Sequence, residues 1–332
     1  MGAPARGDKD EGVPMVRMIE YRRFGGPEVM EMVEAPEPVP GAGQVRVAVK
    51  AVGLNPVDWK IVSGMMGDDD APERPQGVGR DYAGVVDAVG EGVTSTAVGD
   101  EVLGTMPVAP GRGPGGGTLT ERLVVEADSV VRKPAALSLV QAAALGVVVE
   151  AASGGLRTLK VSDGDVLVVS AASGGVGSMA VQLAVHRGAT VIGIAGERSL
   201  DRIRALGAIA VAYGEGLEDR VRAAAPSPVT KLLDCHGPEY VDLAVALGLA
   251  PEAIATIVPA QSSLDKGAQF TGGRDARPED LGRAAALVAD GTMTVTIART
   301  YPFDVDSVRQ AYTELRGGHV RGKLVVDVPE IS

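Results

Sequence analysis

The stretch Asp165-Val-Leu-Val-Val-Ser-Ala-Ala-Ser-Gly-Gly-Val-Gly-Ser-Met-Ala-Val-Gln-Leu-Ala184 decides the fold of this chain. Residues 166–169 form a continuous apolar run, which is typical of a parallel strand buried on both faces. Gly174 and Gly177 occupy the second and third positions of a G-x-G-x-x-G pattern in which Ala172 is the first. Apolar residues then recur at helical spacing, and Gly188 lies where a C-terminal cap belongs. The stretch predicts a strand, a glycine turn and a helix N-terminus, an arrangement that can bind a pyrophosphate.

The residues after this helix give the glycine turn its context. A second apolar strand, Thr190-Val-Ile-Gly-Ile-Ala195, completes a β-α-β unit of about 30 residues. Glycine and serine also occur in any tight turn, so the turn alone leaves a purely structural interpretation open. Within the β-α-β unit, we predict that the diphosphate of a nicotinamide dinucleotide binds at Ser173, Gly174, Gly175, Val176 and Gly177.

The end of the second strand bears on the choice between the two nicotinamide cofactors. Glu197 lies 20 residues after Gly177, where an acid would bond the ribose 2′-hydroxyl, but Arg198 and Ser199 follow at once and Arg202 one turn later. A guanidinium binds a 2′-phosphate through paired charge-assisted hydrogen bonds, whereas a carboxylate repels it. We therefore predict NADPH as the cofactor. The alternative is that Glu197 and Arg198 are solvated residues of a helical turn.

Size and charge exclude several classes of protein. The chain has 332 residues, 45% of them hydrophobic, which is enough for a large core and suggests two domains. Its net charge of −11 disfavours nucleic acids and anionic membranes as partners. No apolar run is long enough to span a bilayer, and residues 1–16 are expected to be a disordered tail without a secretory signal. We expect a cytoplasmic protein that acts on a small molecule.

Cysteine and histidine are too scarce for the common metal and disulfide sites. Cys235 is the only cysteine, which excludes an internal disulfide and a cysteine-rich zinc site. His186, His236 and His319 are widely separated, and none has a second ligand three or four residues away. The sequence therefore predicts no metal site.

The pattern of apolar segments divides the chain into two regions of different predicted secondary structure. Residues 18–126 are β-rich, whereas from 138 onward helices alternate with short apolar strands, as a doubly wound parallel sheet requires. The predicted strands of that sheet are 166–170, 190–195, 209–213, 230–234 and 253–258. The chain after 261 is expected to be loop-like, followed by a helix over 274–291. Apolar runs at 294–297 and 323–328 are expected to pair with the β-rich region, which would make the nucleotide fold an insertion.

Several segments, in one order along nearly the whole chain, resemble the zinc-independent medium-chain dehydrogenase/reductase family and especially its NADPH:quinone oxidoreductases. They are Phe24-Gly-Gly-Pro-Glu-Val29, Gly53-Leu-Asn-Pro-Val-Asp58, Gly79-Arg-Asp-Tyr-Ala-Gly-Val-Val86, Val89-Gly-Glu-Gly-Val93, Val98-Gly-Asp-Glu-Val102, the glycine turn with its helix, Ala205-Leu-Gly-Ala208 and Gly318-His-Val-Arg-Gly-Lys323.

The resemblance implies an α/β protein in which a Rossmann doubly wound parallel sheet is inserted in a GroES-like β-rich substrate domain. The substrate domain would comprise residues 17–137 and 275–332, and the Rossmann NADPH-binding domain residues 138–274. In the cleft between them, NADPH would reduce a quinone or another electron-poor conjugated carbonyl. Family members often pair through the cofactor domain, here through the region 259–273, so a homodimer is expected.

The resemblance also assigns residues to the cofactor. Asn55 is similar to the asparagine beside the nicotinamide, and Arg198 and Tyr213 to the 2′-phosphate contacts, with Ser199 and Val258 in the same cofactor site. Asn55 could instead initiate a turn before Pro56, and Tyr213 could cap the sheet edge. Zinc-dependent relatives carry cysteine and histidine where this chain has Asn55 and Arg80, which implies that the reaction proceeds without a metal.

The catalytic assignments centre on the segment after Asn55. Asp58 and Lys60 could polarise or protonate a substrate carbonyl, or could be solvated loop residues. Trp59 could stack on a quinone or belong to the core. Residues 65–70 lack the tyrosine proton donor of enoyl reductases in the wider family, which disfavours a specialised enoyl-thioester reductase.

One further departure concerns the nicotinamide. Ala151 stands where relatives usually have a threonine near the nicotinamide amide. The hydrogen bond between threonine and nicotinamide is therefore lost or replaced by one from Glu150.

Two alternatives to a quinone reductase stay open. One is a reductase of enones and enals on the same scaffold, and the other is a non-catalytic NADPH-binding redox sensor.

Overall fold

A computed structural model describes residues 13–66, 74–107 and 116–329 of the chain. Its strands are β1 (Met15–Tyr21), β2 (Met30–Pro36), β3 (Gln44–Leu54), β4 (Gln76–Gly77), β5 (Asp81–Val89), β6 (Glu101–Thr105), β7 (Arg122–Glu126), β8 (Val131–Arg132), β9 (Val166–Val169), β10 (Thr190–Ala195), β11 (Ile209–Ala212), β12 (Lys231–Asp234), β13 (Ile254–Thr256), β14 (Gln269–Phe270), β15 (Ile297–Pro302) and β16 (Lys323–Asp327).

The α-helices of the same described segments are α1 (Pro56–Val62), α2 (Leu139–Ala143), α3 (Gly146–Thr158), α4 (Gly175–His186), α5 (Leu200–Ala205), α6 (Leu217–Ala224), α7 (Pro238–Ala246), α8 (Gln261–Leu264), α9 (Pro278–Ala289) and α10 (Val305–Arg316). None of these helices has the length and apolar character needed to span a bilayer.

A six-stranded parallel sheet forms the second half of the architecture. Its strand order is β11-β10-β9-β12-β13-β14, and every neighbouring pair is parallel. Along β9, Leu167 and Val169 belong to one hydrophobic cluster, and Val166 and Val168 to another. Successive residues of a strand point to opposite faces, so helices cover this sheet on both sides. The predicted Rossmann-type, doubly wound sheet is confirmed, with a topological switch point between β9 and β12.

The β-rich part contains the two other sheets. β2-β1-β4 form a three-stranded sheet, and β15-β16-β3-β5-β6-β8 a larger one to which β7 adds by pairing with β3. β16 pairs antiparallel with β3, so the end of the chain returns to the first region as predicted. A Cβ on Gly53 in β3 would lie 2.1 Å from the carbonyl oxygen of Ala143, because α2 lies directly on β3. This close approach brings the two halves together around the end of β3.

Four boundaries differ from the prediction. The tail predicted over 1–16 lies outside the described residues up to residue 12, but Met15 and Val16 begin β1, where Val16 is buried. The segment after 261 is not entirely loop, because it contains α8 and the short edge strand β14. The helix predicted from 274 begins at Pro278, a residue suited to the first helical position.

The fourth difference concerns the strand predicted over 294–297, which runs instead over β15 (Ile297–Pro302). The side chain of Gln182 on α4 explains the shift. Its Nε2 donates to the carbonyl oxygen of Thr294 at 3.0 Å, and its Oε1 accepts from the amide of Thr294 at 2.7 Å. Both backbone groups of Thr294 are therefore used by a helix side chain and not by a strand ladder. β15 also pairs in parallel with β16, so only β16 joins the first region directly.

Candidate cofactor and substrate site

The glycine turn after β9 is built as a phosphate-binding turn requires. Ala171 has a φ of 46°, and its carbonyl oxygen accepts from the amide of Gly174 at 2.9 Å. A Cβ on Gly177 would lie 2.3 Å from that same oxygen, so only glycine lets α4 approach the turn this closely. The first-turn amides of α4, at residues 175–177, have no acceptor within the helix. They are available to an anion such as a diphosphate.

The end of β10 collects the groups predicted to contact a 2′-phosphate. A Cβ on Gly196 would lie 3.3 Å from the phenol oxygen of Tyr213, so the Tyr213 ring lies against this turn. The amide of Ser199 donates to the carbonyl oxygen of Gly196 at 2.8 Å, which holds Arg198 at the same edge. Arg198 and Tyr213 are exposed, whereas Ser199 is only 5% exposed. Arg198 and Tyr213 thus both belong to the region around Gly196, while Ser199 stabilises the turn through its backbone.

Two further arginines lie near this edge. Burial, together with the neighbouring charge of Arg321, lowers the pKa of Arg202 on α5. Among the described residues, no carboxylate pairs with Arg198, Arg202 or Arg321. In contrast, Arg204 on the same helix pairs with Asp201 at 2.6 Å. Three guanidinium groups without counter-ions are the arrangement that an anionic ligand can neutralise.

A buried aspartate organises the crevice between β9 and β12. Oδ1 of Asp234 accepts from Ser170 Oγ and from the amide of His236, both at 2.8 Å. Its Oδ2 accepts from Thr256 Oγ1 at 2.7 Å, and Thr256 Oγ1 in turn accepts from the amide of Val258 at 3.0 Å. This network fixes the loop that carries Val258 at the switch point, where ligands of such sheets bind.

Asn55 is the centre of a second, buried network. Only 1% exposed, it donates from Nδ2 to Asp81 Oδ2 at 2.9 Å and to the carbonyl oxygen of Gly53 at 3.2 Å. Its Oδ1 accepts from Lys323 Nζ, and this ammonium lies 3.3 Å from Asp81 Oδ2. Both amide hydrogens and the amide oxygen of Asn55 therefore have partners within the protein. A Cβ on Gly175 would lie 3.4 Å from Lys323 Cδ, so the network adjoins the phosphate-binding turn.

Asp58 lies in the first turn of α1 and caps it. Its Oδ2 accepts from the amide of Asn55 at 2.8 Å and from the Tyr312 hydroxyl at 3.1 Å. Burial, reinforced by the charge of Asp81, raises the pKa of Asp58 to about 7. The other oxygen, Oδ1, is buried and has no hydrogen-bond partner among the residues that the structure describes. Asp58 thus combines a local structural role with a carboxyl that can exchange its proton near neutral pH.

Lys60 and Trp59, the neighbours of Asp58, are not part of this network. Burial lowers the pKa of Lys60, and its ammonium makes no hydrogen bond or ion pair to the described residues. Trp59 packs against the core of the β-rich part, with the Arg316 guanidinium 5.5 Å from its ring centroid. The core interpretation of Trp59 is the one that its surroundings favour.

Arg80 and Glu150 add two charged groups beside Asp81. Arg80 is 7% exposed, and its buried Nε has no partner within the described segments. Glu150 projects from α3, whose second residue, Val147, donates its amide to Asp81 Oδ1 at 2.8 Å. Burial raises the pKa of Glu150 to about 7, the charge of Asp81 acts in the same direction, and Arg80 opposes both. The site therefore holds two carboxyls, Asp58 and Glu150, poised near neutral pH.

Comparisons with known proteins agree with this architecture. The Alcohol dehydrogenase GroES-like domain family matches residues 41–135, and the Zinc-binding dehydrogenase family matches residues 206–326. The chain is 31% identical over 313 residues to 2-methylene-furan-3-one reductase of Solanum lycopersicum, covering 92% of this chain and 77% of that protein. This chain belongs to the medium-chain dehydrogenase/reductase family. Its β-rich part is the GroES-like domain, and its parallel sheet the Rossmann domain.

Two other similarities extend the comparison. The quinone oxidoreductase structure from Coxiella burnetii superposes with a TM-score of 0.81 at 27% identity, covering 95% of this chain and 100% of that one. The chain is also 34% identical over 314 residues to the polyketide synthase component PikAII of Streptomyces venezuelae, covering 89% of this chain. It spans only 8% of the length of that synthase component.

Membership in the medium-chain dehydrogenase/reductase family implies a nicotinamide cofactor, and the residues fit one. Close packing at Gly177 and the unused amides of 175–177 suit the diphosphate. A catalytic zinc fits less well, because the amide oxygen of Asn55 already accepts a hydrogen bond from Lys323. The guanidinium of Arg80 has no lone pair available to bind a metal. Among residues 13–66, 74–107 and 116–329, no three His, Cys, Asp or Glu side chains are grouped to hold a metal ion.

Lys323, Asp81 and Asp234 were not among the site residues predicted from the sequence. Asp81 and Lys323 both lie in segments that carry the family resemblance, Gly79–Val86 and Gly318–Lys323, so a signal for them existed. Asp234 ends an apolar strand at its carboxyl edge, which is also a readable signal. The departure at residues 67–70 lies outside the described residues.

Proposed function

We propose that this protein is an NADPH-dependent oxidoreductase that reduces a quinone or another electron-poor conjugated carbonyl without a metal. The observation that carries the proposal is the phosphate-binding turn, in which Gly177 permits contact with Ala171 and the Lys323 stem lies against Gly175. This turn stands at the junction of the two domains, so a bound dinucleotide would extend into the cleft. When bound, NADPH supplies a hydride from nicotinamide C4.

Different residues would bind different parts of the cofactor. The turn Ser173, Gly174, Gly175, Val176 and Gly177 would bind the diphosphate, and Arg198 with Tyr213 the 2′-phosphate. Arg198, Arg202 and Arg321 have no carboxylate partner in the part of the chain that the structure describes, which supports NADPH over NADH. Val258 would line the nicotinamide side of the crevice. We propose that Asn55 orients the floor of the site, because its amide is fully bonded to Lys323, Asp81 and Gly53.

The electron acceptor has two candidate classes. The Coxiella burnetii structure is described as a quinone oxidoreductase, and the Solanum lycopersicum relative as a reductase of a methylene-furanone, which is a conjugated enone. Reduction of a carbon–carbon double bond needs a proton on carbon, and Glu150 and Asp58 have pKa values suited to donate one. This observation favours the enone class as the second candidate.

One experiment tests the proposal. Calorimetric titration with NADPH and with NADH, followed by loss of NADPH absorbance with a panel of simple quinones and enones, should reveal binding and turnover. Turnover should persist after dialysis against a chelator. Folded protein that binds neither coenzyme would refute the proposal, and binding without any turnover would favour a redox sensor.

We also propose a homodimer formed beside the edge strand β14, which sedimentation velocity can check.

A further inference from the structure

Three buried polar atoms near Asp81 have no hydrogen-bond partner among the described residues. They are Nε of Arg80, Oδ1 of Asp58 and Oγ1 of Thr105. Thr105 is the register partner of Asp81 across β5 and β6. Buried polar groups in native proteins almost always find a hydrogen-bond partner, and one left unpaired destabilises the fold. These three atoms therefore have hydrogen-bonding capacity that a bound group could use.

Asp81 itself cannot supply the missing partners. Its Oδ1 accepts from the amide of Val147 at 2.8 Å, and its Oδ2 accepts from Asn55 Nδ2 at 2.9 Å and lies 3.3 Å from Lys323 Nζ. The Nε of Arg80 has no partner in the described part of the chain, although the residue is only 7% exposed. A buried cation with a free donor is suited to bind an oxygen that carries or develops negative charge.

Glu150 stands on the same side of α3 as the residues that touch Asp81. A Cβ on Gly146, four residues earlier, would lie 2.2 Å from Asp81 Oδ1, and residues four apart share a helix face. Glu150 Oε2 would lie 3.1 Å from a Cβ on Gly273, so the carboxyl faces the turn that follows β14. In the described structure no ion pair or hydrogen bond satisfies the Glu150 carboxyl.

We propose that Arg80 and Glu150 form the acceptor end of the active site, where Arg80 binds the carbonyl oxygen of an α,β-unsaturated ketone or aldehyde and Glu150 protonates its α-carbon. This inference rests on the proposed function and names its substrate class and proton donor. Neither residue is a zinc ligand. Arg80 would replace the Lewis acid of metal-dependent relatives by a fixed guanidinium, which binds an oxyanion through charge-assisted hydrogen bonds.

Arg80 and Glu150 would supply the cation and the proton that the reduction of an enone needs in addition to a hydride. A hydride released from C4 of NADPH, which would be oxidised to NADP⁺, would bond to the β-carbon of the acceptor. The electron pair of the carbon–carbon double bond would move into an enolate whose oxygen is held by Arg80. The O–H bond of Glu150 then breaks, and its proton bonds to the α-carbon while the carbonyl re-forms. The resulting Glu150 carboxylate takes a proton back from water. A quinone, in contrast, is protonated on oxygen and can use water directly.

The surroundings of Glu150 set the direction of its pH dependence. Burial, Asp81 and Asp280 raise its pKa to about 7, and Arg80 lowers it. Arg274 and Asp275, on the turn that Glu150 faces, pair with each other at 3.4 Å. Because the donor is the protonated form, enone turnover should be greatest below about pH 7 and should fall above it.

The first test separates the two acceptor classes. Glu150→Gln keeps the size and hydrogen-bonding capacity of the side chain but has no acidic proton. We expect a loss of about 10²-fold in kcat with an enone, disappearance of the limb above about pH 7, and a loss of quinone turnover that is at least about tenfold smaller. The matched control is Glu279→Gln, an exposed carboxyl of α9 whose partner Arg283 is 3.8 Å away. Equal losses with both acceptors, or no loss with either, would overturn the assignment of Glu150.

The second test measures the binding of an enolate mimic at Arg80 and requires no turnover. With NADP⁺ present, 4-nitrophenol serves as a stable mimic of the enolate, and its ionised form is visible by absorbance. The parent should bind it as the phenolate, Arg80→Met should lose this complex, and Arg80→Lys should retain it about tenfold more weakly. Arg80→Lys preserves the charge and keeps the test valid should Arg80→Met fail to fold. Undiminished phenolate binding by Arg80→Met would overturn the proposal.

Calorimetry with NADPH distinguishes a failure of the proposed function from a failure of the roles proposed for Arg80 and Glu150. Parent protein that binds no NADPH refutes the proposed function itself. Variants that bind NADPH normally, yet show no selective loss with enones or with the phenolate, refute only the roles of Arg80 and Glu150.

Discussion

The ammonium of Lys323 donates to the amide oxygen of Asn55, a residue 268 positions earlier in the chain. Lys323 begins the last strand, β16, and Asn55 caps the first helix, α1. The stem of Lys323 also lies beside Gly175, where a Cβ would be 3.4 Å from its Cδ. One buried cation therefore connects the start of α1 in the GroES-like domain with the glycine turn after β9 in the Rossmann domain.

Removal of this cation should be costly to stability. Lys323→Met leaves Asp81, which is completely buried, without the ammonium 3.3 Å from its Oδ2. Breaking a buried pair by removing one partner typically costs about 3–5 kcal/mol, and we expect the free energy of unfolding to fall by this amount in urea titrations. Lys266→Met is the matched control, because Lys266 pairs with Asp242 at the surface and should cost less than about 1 kcal/mol. Similar losses in both variants would contradict the special role of Lys323.

The glycines of the phosphate-binding turn should separate stability from cofactor binding. In Gly177→Ala the new Cβ would lie 2.3 Å from the Ala171 oxygen, so α4 must shift. We expect a loss of about 1–3 kcal/mol in unfolding free energy, together with a large loss of NADPH affinity. In Gly174→Ala the Cβ would be 3.3 Å from the same oxygen, and the φ of −77° suits any residue. That variant should stay as stable as the parent while still losing NADPH affinity, because its methyl group faces the diphosphate.

Calorimetric titration and thermal unfolding of the two glycine variants provide the measurements. Parent-like NADPH affinity in Gly174→Ala would argue against diphosphate binding at this turn. Parent-like stability in Gly177→Ala would show that α4 can relax away from Ala171.

Arg198 is predicted to discriminate between the cofactors. A hydrogen bond to a charged group contributes about 1.5–3 kcal/mol, so Arg198→Ala should weaken NADPH binding by roughly 10- to 100-fold and leave NADH within about twofold. Arg204→Ala is the control, since Arg204 lies on the adjacent helix α5 and is already paired with Asp201. The dissociation constants of both coenzymes for both variants are the readout. Parallel weakening of NADPH and NADH by Arg198→Ala would remove the 2′-phosphate assignment.

The elements that the sequence predicts well are those with a local signature. β9 is a run of four apolar residues, and the turn after it has glycines at fixed spacing, so both can be read from one short segment. β14 has only two residues, Gln269 and Phe270, which is too short for any periodicity, and it forms because β13 offers it an open edge. Likewise, the shift of β15 depends on Gln182, a residue of a distant helix.

The buried charges of the site are harder to predict for a related reason. Charged residues are usually exposed, so Asp81 and Lys323 are unremarkable until the fold brings β5 and β16 beside β3. Their burial depends on mutual pairing and on the amide of Asn55, which no local pattern encodes. Glu150 offers a weak local signal, as one acid within the apolar run Val147-Val-Val-Glu-Ala-Ala152. The family resemblance located the segments that carry these residues, but their contacts come from the tertiary structure.

Asp58 should make stability depend on pH in an unusual direction. Its folded pKa is raised from 3.8 to about 7, chiefly by burial. Between these two values the folded protein holds a proton that the unfolded chain has released, so stability falls as pH rises, by at most about 1.4 kcal/mol per pH unit for this group. Above about pH 7 the loss is complete, and below about pH 4 it is absent.

Asp58→Asn removes this titration while an amide oxygen can still accept from the backbone amide of Asn55. Relative to the parent, we expect the variant to gain stability progressively from about pH 4 to about pH 7 and then to hold a constant difference. Urea unfolding of both proteins across this range is the measurement, and Asp201→Asn, at an exposed carboxylate, should show no such trend. Glu150 remains in both proteins, so its similar titration cancels in the difference. A difference that does not change with pH would mean that Asp58 is ionised throughout this range in the folded protein, and would leave Glu150 as the only carboxyl of the site with a pKa near neutral.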